Sequence, residues 1–217
     1  MSTALVPAPQ QVIEHFARHQ RLTVKQRKRW LEILLSFEAK NKYVVYDEDQ
    51  QPVLAVEEQG KGFLSFLKRI FLGPFRPFTA HVEDLSRNTL LLSLHRPWRW
   101  IFHTIEVAGP SGEPIGRIEK RWSWLRRIYT VYGANNEEVA TLFGPIFKPW
   151  TFEIRVGGNP EPVGLLQKKW SGLAKEMFTD ADNFRLELSG IPDPSVKALL
   201  FSATVLVDVV HFERAKR

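Results

Sequence analysis

The sequence predicts a mainly β (α+β) protein. One closed antiparallel sheet wraps around a hydrophobic C-terminal helix, and a helical N-terminal segment precedes it. Three observations predict this. The stretch SVKALLFSATVLVDVVHFER, from Ser195 to Arg214, is apolar on every side yet short for a bilayer. Three separate segments repeat one strand, turn, proline, strand pattern. Large aromatics are abundant, with 15 Phe and 7 Trp in 217 residues, and they favour strands and interfaces.

The C-terminal stretch is decided by its length. About ten residues without a charge lie between Lys197 and Asp208, and a helix of that length rises about 15 Å against roughly 30 Å of hydrocarbon. Extending it to Phe212 takes in Asp208 and His211, and an acid inside a span is costly unless paired. A helix apolar all round then belongs inside protein. Such a helix, over about 195–213, needs walls on every side, and a barrel supplies them. Asp193 or Ser195 suits its cap and Pro194 its first turn. Asp208, once buried, needs a partner such as Lys or Arg, or a proton.

The N-terminal part reads as helix over residues 10–36. Val12, Ile13 and Phe16 share a face, TVKQ (Thr23 to Gln26) fits a capping box, and Trp30, Leu31, Leu34 and Leu35 follow at helical spacing. Its cations, Arg18, Arg21, Lys25, Arg27, Lys28 and Arg29, fit a solvated face or a phosphate-binding patch. The organisation expected is a basic helical segment over 1–36 and a barrel over 37–217.

From Phe37 onward, short apolar runs alternate with Gly, Pro, Asn and Asp turns. NKYVVYDEDQQPVLAVEEQ, FHTIEVAGPSGEPIGRIEKRW and TFEIRVGGNPEPVGLLQKKW align on Pro52, Pro114 and Pro162. The spacing is too uneven for a solenoid, and three related hairpins suit one sheet.

Composition narrows the function. The chain is 44% hydrophobic and 25% charged, so it can bury a core. A net charge of +6 and a pI of about 9.6 draw a protein toward phosphate, on nucleic acid or on an anionic bilayer. With no Cys, thiolate metal sites and cysteine catalysis are excluded. The first residues lack a basic n-region and an apolar h-region, so no signal peptide is expected and an intracellular setting is. P-loop, GxGxxG, GxSxG and HExxH motifs are missing. His15 and His19 are four apart, but two His without a third ligand suit a solvated helix face better than a metal.

FEAKNKYVVYD, GPFRPF, IEVAGPSGEPIG, GPIFKPWTFEI, VGLLQKKWSGLAKEMFTDADNF and LVDVVHFE resemble the phospholipid scramblase family, over about Leu31 to Glu213. The resemblance implies a fold similar to the tubby C-terminal domain, a twelve-stranded barrel around a C-terminal helix. It also implies ATP-independent, calcium-stimulated movement of phospholipids between leaflets, without covalent chemistry, at the cytoplasmic face of a membrane such as the plasma membrane.

Animal members of that family carry Cys-rich segments that can be acylated. Here those positions read GKGFLSFLKRIFLGPFRPF (Gly60 to Phe78) and RPWRWIFH (Arg96 to His103). Apolar anchors interleaved with cations match an interfacial membrane segment. Phe63, Leu64, Phe66, Leu67, Lys68, Arg69, Ile70, Phe71, Trp98, Arg99 and Trp100 are therefore the candidate lipid contacts, standing in for acyl chains. Barrel strands, or a loop helix over a barrel end, fit the same residues. KRWSWLRRIY (Lys120 to Tyr129) reads as two strands and their turn, with a headgroup or nucleic-acid surface as the alternative. The resemblance places a calcium loop at Asp180 and Asp182. An EF-hand loop starting there would need oxygens where Phe184 and Ile191 stand and Gly where Arg185 stands. A turn followed by a strand with Phe184, Leu186 and Leu188 on one face reads better.

Two function classes follow: a scramblase-like protein that associates with phospholipid membranes, and a tubby-like module that binds anionic lipid, such as a phosphoinositide, without moving it. Nucleic-acid binding through the basic N-terminal helix is a weaker third.

Overall fold

The computed structural model describes residues 6–26, 41–59, 77–98, 103–124, 126–148, 150–169 and 183–211. A short helix, α1 (Gln10–Arg18), leads into β1 (Arg21–Gln26). The other strands follow in order: β2 (Asn41–Tyr46), β3 (Pro52–Gln59), β4 (Phe78–Asp84), β5 (Thr89–Arg96), β6 (Thr104–Ala108), β7 (Pro114–Arg121), β8 (Arg127–Gly133), β9 (Glu138–Gly144), β10 (Thr151–Val156), β11 (Gly164–Lys169) and β12 (Asn183–Glu187). The last element is α2 (Pro194–His211). Each strand pairs with its sequence neighbour, and β1 pairs antiparallel with β12, so the sheet is a closed barrel.

The wall is built by period-two alternation. Phe78, Ala80 and Val82 of β4, Phe152 and Ile154 of β10, and Phe184 and Leu186 of β12 all point into the core. Eight strands already enclose a lumen that wall side chains can just fill, and the diameter grows with strand number. Twelve strands leave a wider space, and α2 occupies it. Leu199, Leu200, Phe201, Leu206 and Val207 are each 0% exposed.

The three proline-marked repeats are hairpins of this barrel. Pro52 opens β3, Pro114 opens β7, and Pro162 lies two residues before β11. The glycines after the last two prolines serve packing. A Cβ at Gly116 would sit 2.1 Å from the Tyr132 carbonyl oxygen and 3.0 Å from a Leu199 methyl, so only Gly lets the wall meet α2 this closely.

The expected helix start holds. The Asp193 carboxylate accepts from the Ser195 amide at 2.7 Å and the Val196 amide at 3.4 Å, with Pro194 in the first turn. The polar side chains of α2 find partners inside the barrel. Ser202 and Thr204 donate to the carbonyls of Ala198 (2.9 Å) and Leu200 (3.2 Å). Lys197 Nζ donates to the His19 carbonyl at 2.8 Å. Asp208 accepts from the Tyr43 hydroxyl.

The helix expected across 10–36 is corrected. It ends at Arg18, and Thr23 to Gln26 is not a capping box but part of β1, between β12 and β2. The reason is tertiary. Leu22 and Val24 alternate into the core at 0% and 1% exposure, and both edges of RLTVKQ are hydrogen-bonded. β1 closes the barrel, and that outweighs a local capping pattern. The remainder of that expected helix, residues 27–36, lies outside the described residues.

Candidate functional site

Every neighbouring pair of strands is antiparallel and, apart from the closing pair β1 and β12, consecutive in sequence, so the connections alternate strictly between the two ends of the barrel. At one end lie the short turns 47–51, 85–88, 109–113, 134–137 and 157–163, and the approach to α2 over 188–193. They use polar and left-handed residues, including Gln50, Asn88, Gly112, Asn136, Gly157 and Gly158 at positive φ. They carry Asp47, Glu48, Asp49, Glu113, Glu137, Glu161 and Asp193 against the single cation Arg87. This turn end is closed by α1. Phe16 lies 5.8 Å from Phe201 of α2, the Ala8 amide donates to Ser195 Oγ at 2.9 Å, and Arg87 pairs with Glu14 at 2.9 Å.

His15 and His19 stand in that closure, not on a solvated face, at 7% and 8% exposure. His15 Nδ1 meets Asp84 Oδ2 at 3.1 Å, and the two imidazoles lie 5.0 Å apart. Burial lowers the His15 pKa below its ordinary 6.5, against the pull of Asp84. Burial works to raise the Asp84 pKa, but hydrogen bonds from Ser86 and His15 outweigh it, so the net shift is down.

The opposite end has a different chemistry. The chain leaves the wall there after Gln26, Gln59, Arg96, Arg121, Gly144 and Lys169, and re-enters at Asn41, Phe78, Thr104, Arg127, Thr151 and Asn183. The described connecting residues at this loop end include Trp98, Trp122, Trp124, Arg126, Ile146, Phe147, Lys148 and Trp150, and none of them is acidic. Five of the large apolar side chains exposed among the described residues are here: Trp98, Trp122, Trp124, Ile146 and Phe147. Val6 and Leu85 are the others, both at the turn end.

Strand ends supply the charge. Arg121 and Arg126 are exposed, and Arg127 reaches sideways, its Nη2 donating to the carbonyl of Lys148 at 3.1 Å. Burial lowers the Arg127 pKa below its ordinary value, without consequence for its charge near neutral pH. Just inside, Arg96 is 2% exposed and donates from Nη2 to His103 Nδ1 at 2.6 Å. Guanidinium has no lone pair to offer, so His103 Nδ1 carries none of the shared hydrogens and accepts.

A model of the family described as Scramblase matches residues 1–214 of the chain. The chain belongs to the Scramblase family. Phospholipid scramblase 2 of Bos taurus is 28% identical over 216 residues, which are 94% of this chain and 72% of that protein. Phospholipid scramblase 1 of Homo sapiens is 29% identical, covering 96% of this chain and 70% of its own length. A phospholipid scramblase family protein of Schizosaccharomyces pombe is 29% identical over 77% of this chain and 46% of its own. A crystal structure of a protein from Arabidopsis thaliana superposes with a TM-score of 0.51, covering 91% of this chain and 98% of that one. At 11% identity that likeness concerns the fold.

Of the lipid contacts expected for this Scramblase-family chain, Trp98 sits at the loop end and is 46% exposed. Phe63, Leu64, Phe66, Leu67, Lys68, Arg69, Ile70, Phe71, Arg99 and Trp100 lie outside the described residues. Both segments connect strands that end at the loop end. Trp122 and Trp124 are in the β7–β8 connection, as the two-strands-and-turn reading has it. Ile146 and Phe147 were missed by the sequence reading as surface residues. Their signal was present: two large apolar residues between Pro145 and Lys148, where a turn normally holds polar ones.

Asp180 and Asp182 also lie outside the described residues. The residues that follow do not fit an EF-hand loop begun at Asp180. Phe184 and Leu186 are buried wall residues of β12, Arg185 pairs with Glu187, Ile191 is 1% exposed, and Asp193 caps α2. Among the described residues no group of three or more His, Asp or Glu is placed to hold a metal. None of the described helices is long and apolar enough to cross a membrane.

Proposed function

We infer that the protein is a phospholipid scramblase that associates with the bilayer and moves phospholipids between leaflets without ATP and without covalent chemistry. Membership of the Scramblase family across residues 1–214 carries the reading. The basic, aromatic loop end supports it, because cations meet anionic headgroups and Trp favours the headgroup boundary. The cytoplasmic leaflet, where anionic lipid concentrates, is the surface such an end would meet.

Phe63, Leu64, Phe66, Leu67, Ile70, Phe71, Trp98 and Trp100 are the apolar lipid contacts in this reading, with Lys68, Arg69 and Arg99 at the phosphates. The barrel interior does not offer the route, since α2 fills it. A headgroup would pass along the outside of the protein, through bilayer thinned or disordered where the loop end inserts.

The filled lumen also favours a second reading, an anionic-lipid-binding module that does not transport. One assay separates the two. Fluorescent headgroup lipid is placed in both leaflets of reconstituted vesicles, and an impermeant reductant is added, with and without calcium and with a leakage control. Bleaching well past half supports transport. Bleaching that stops near half in sealed vesicles sinks it and leaves the binding module.

A further inference from the structure

Resting on the bilayer reading above, the geometry points to a docking face at the loop end. Trp122, Trp124, Ile146 and Phe147 enter the headgroup boundary of an anionic phospholipid bilayer, ringed by Arg121, Arg126 and Lys148, and the acidic turn end faces away.

The exposure is built in rather than incidental. Trp122 is 70% exposed, Trp124 85% and Phe147 94%, with Ile146 at 46%. Single exposed apolar side chains are common on any protein, but four on two adjacent loops form a patch of the kind that marks an interaction site. Ile146 and Phe147 occupy the centre of a turn closed by the Lys148 amide on the Pro145 carbonyl at 3.3 Å. The corresponding positions of the hydrogen-bonded turns at the turn end read Glu48 and Asp49, Pro110 and Ser111, Ala134 and Asn135, and Gly157 and Gly158. None of these turn-end positions holds a large apolar side chain, whereas the Pro145–Lys148 turn at the other end holds two.

The two loops are held together. Arg127 of β8 donates from Nη2 to the carbonyls of Pro145 (3.4 Å) and Lys148 (3.1 Å), both in the β9–β10 connection. Within the β7–β8 loop, the Arg126 amide donates to Ser123 Oγ at 3.2 Å, and the two indoles pack edge to face, 6.1 Å apart. The aromatics therefore stand on a pre-ordered platform, which lowers the entropy lost on insertion.

Charge selects the occupant. The described loop residues at this end carry Arg126 and Lys148 and no acid, whereas the turns at the other end carry seven acids and one Arg. In the field of an anionic bilayer such a molecule turns its loop end inward before any contact is made. Trp at the boundary with cations beside it is the arrangement that interfacial membrane segments use.

The chain has no Cys, so one introduced Cys can carry a polarity-sensitive dye at a single place. F147C reports the loop end and S111C, an exposed position, the turn end. Each is titrated with phosphatidylcholine vesicles with and without phosphatidylserine. The expected result is a blue shift and quenching by bromolipid for F147C on phosphatidylserine vesicles, and neither for S111C. The pair W122S/W124S weakens vesicle binding about tenfold. The pair R126E/K148E weakens it at least about tenfold, and less so at high salt.

Entry of the S111C dye, or binding in which neither dye leaves water, overturns the docking face while leaving membrane association intact. A concentration-dependent shift of the F147C dye without vesicles assigns the face to a second copy of the chain and overturns the proposal. A shift produced by single-stranded DNA but by no vesicle overturns it in favour of nucleic acid. Insertion at F147C in vesicles that show no scrambling leaves the docking face standing and sinks the transport reading alone.

Discussion

The Tyr43 hydroxyl of β2 donates to the Asp208 carboxylate of α2, and this bond ties the barrel wall to the helix it encloses. Both residues are 1% exposed. The bond lies toward the C-terminal end of α2, while the Lys197 contact with His19 holds the N-terminal end. The enclosed helix is thus fixed at two heights by polar contacts within an apolar core.

Removing the donor leaves a buried carboxylate oxygen without it. Tyr43→Phe is expected to lower stability by about 1–3 kcal/mol. Urea denaturation checks this, with the midpoint falling and the slope unchanged. An unchanged midpoint would show that Asp208 does not need the tyrosine.

Closure of the turn end is expected to loosen in acid. The folded protein holds the His15 pKa below its ordinary 6.5, chiefly through burial. The unfolded chain therefore takes up that proton more readily. Stability is intact above pH 6.5 and falls as pH drops through the lowered value. Asp84, also lowered, adds a loss only below its ordinary 3.8. His15→Gln should flatten the decline between pH 7.5 and 5.5, measured by urea midpoints. Parallel declines in variant and wild type would assign the effect to another group.

Close packing of wall on helix makes Gly116 intolerant of a side chain. Gly116→Ala presses a methyl onto the Tyr132 carbonyl oxygen and against Leu199. The expected cost is about 1–3 kcal/mol, as for other overpacked cores. Thermal melting monitored by near-ultraviolet circular dichroism reads it, and a melting point at or above wild type would contradict the packing argument.

Charging the apolar stretch between β3 and β4 should separate membrane binding from folding. The double substitution Phe66→Glu, Phe71→Glu is expected to weaken sedimentation with anionic liposomes by about tenfold or more while leaving the far-ultraviolet spectrum unchanged. A folded variant that binds as before would remove these residues from the lipid contacts.

Local pattern was enough for much of the fold. The length and charge of the C-terminal stretch announced a buried helix, Asp193 and Pro194 announced its start, and the proline-marked repeats announced three hairpins. These features rest on chain length, hydrophobic periodicity and turn chemistry, which act over a few residues. The strand Arg21–Gln26 was misread because its sequence also satisfies a helical capping pattern, and only pairing with β12 and β2 decides between them. The contact of Asp208 with Tyr43 was equally out of reach, since the two are 165 residues apart in sequence.

What the sequence by itself determined is the kind of surface this protein can build, cationic and aromatic with no thiol, and the kind of core it needs, a sheet around an apolar helix. Only the tertiary structure decided which surface residues stand together. Trp122 and Phe147 belong to different hairpins and share an end because an antiparallel barrel returns alternate connections to the same rim. The same alternation sent the acidic turns to the other rim. Such a separation of charge among the described residues is a property of antiparallel pairing between consecutive strands, which no local stretch of sequence contains.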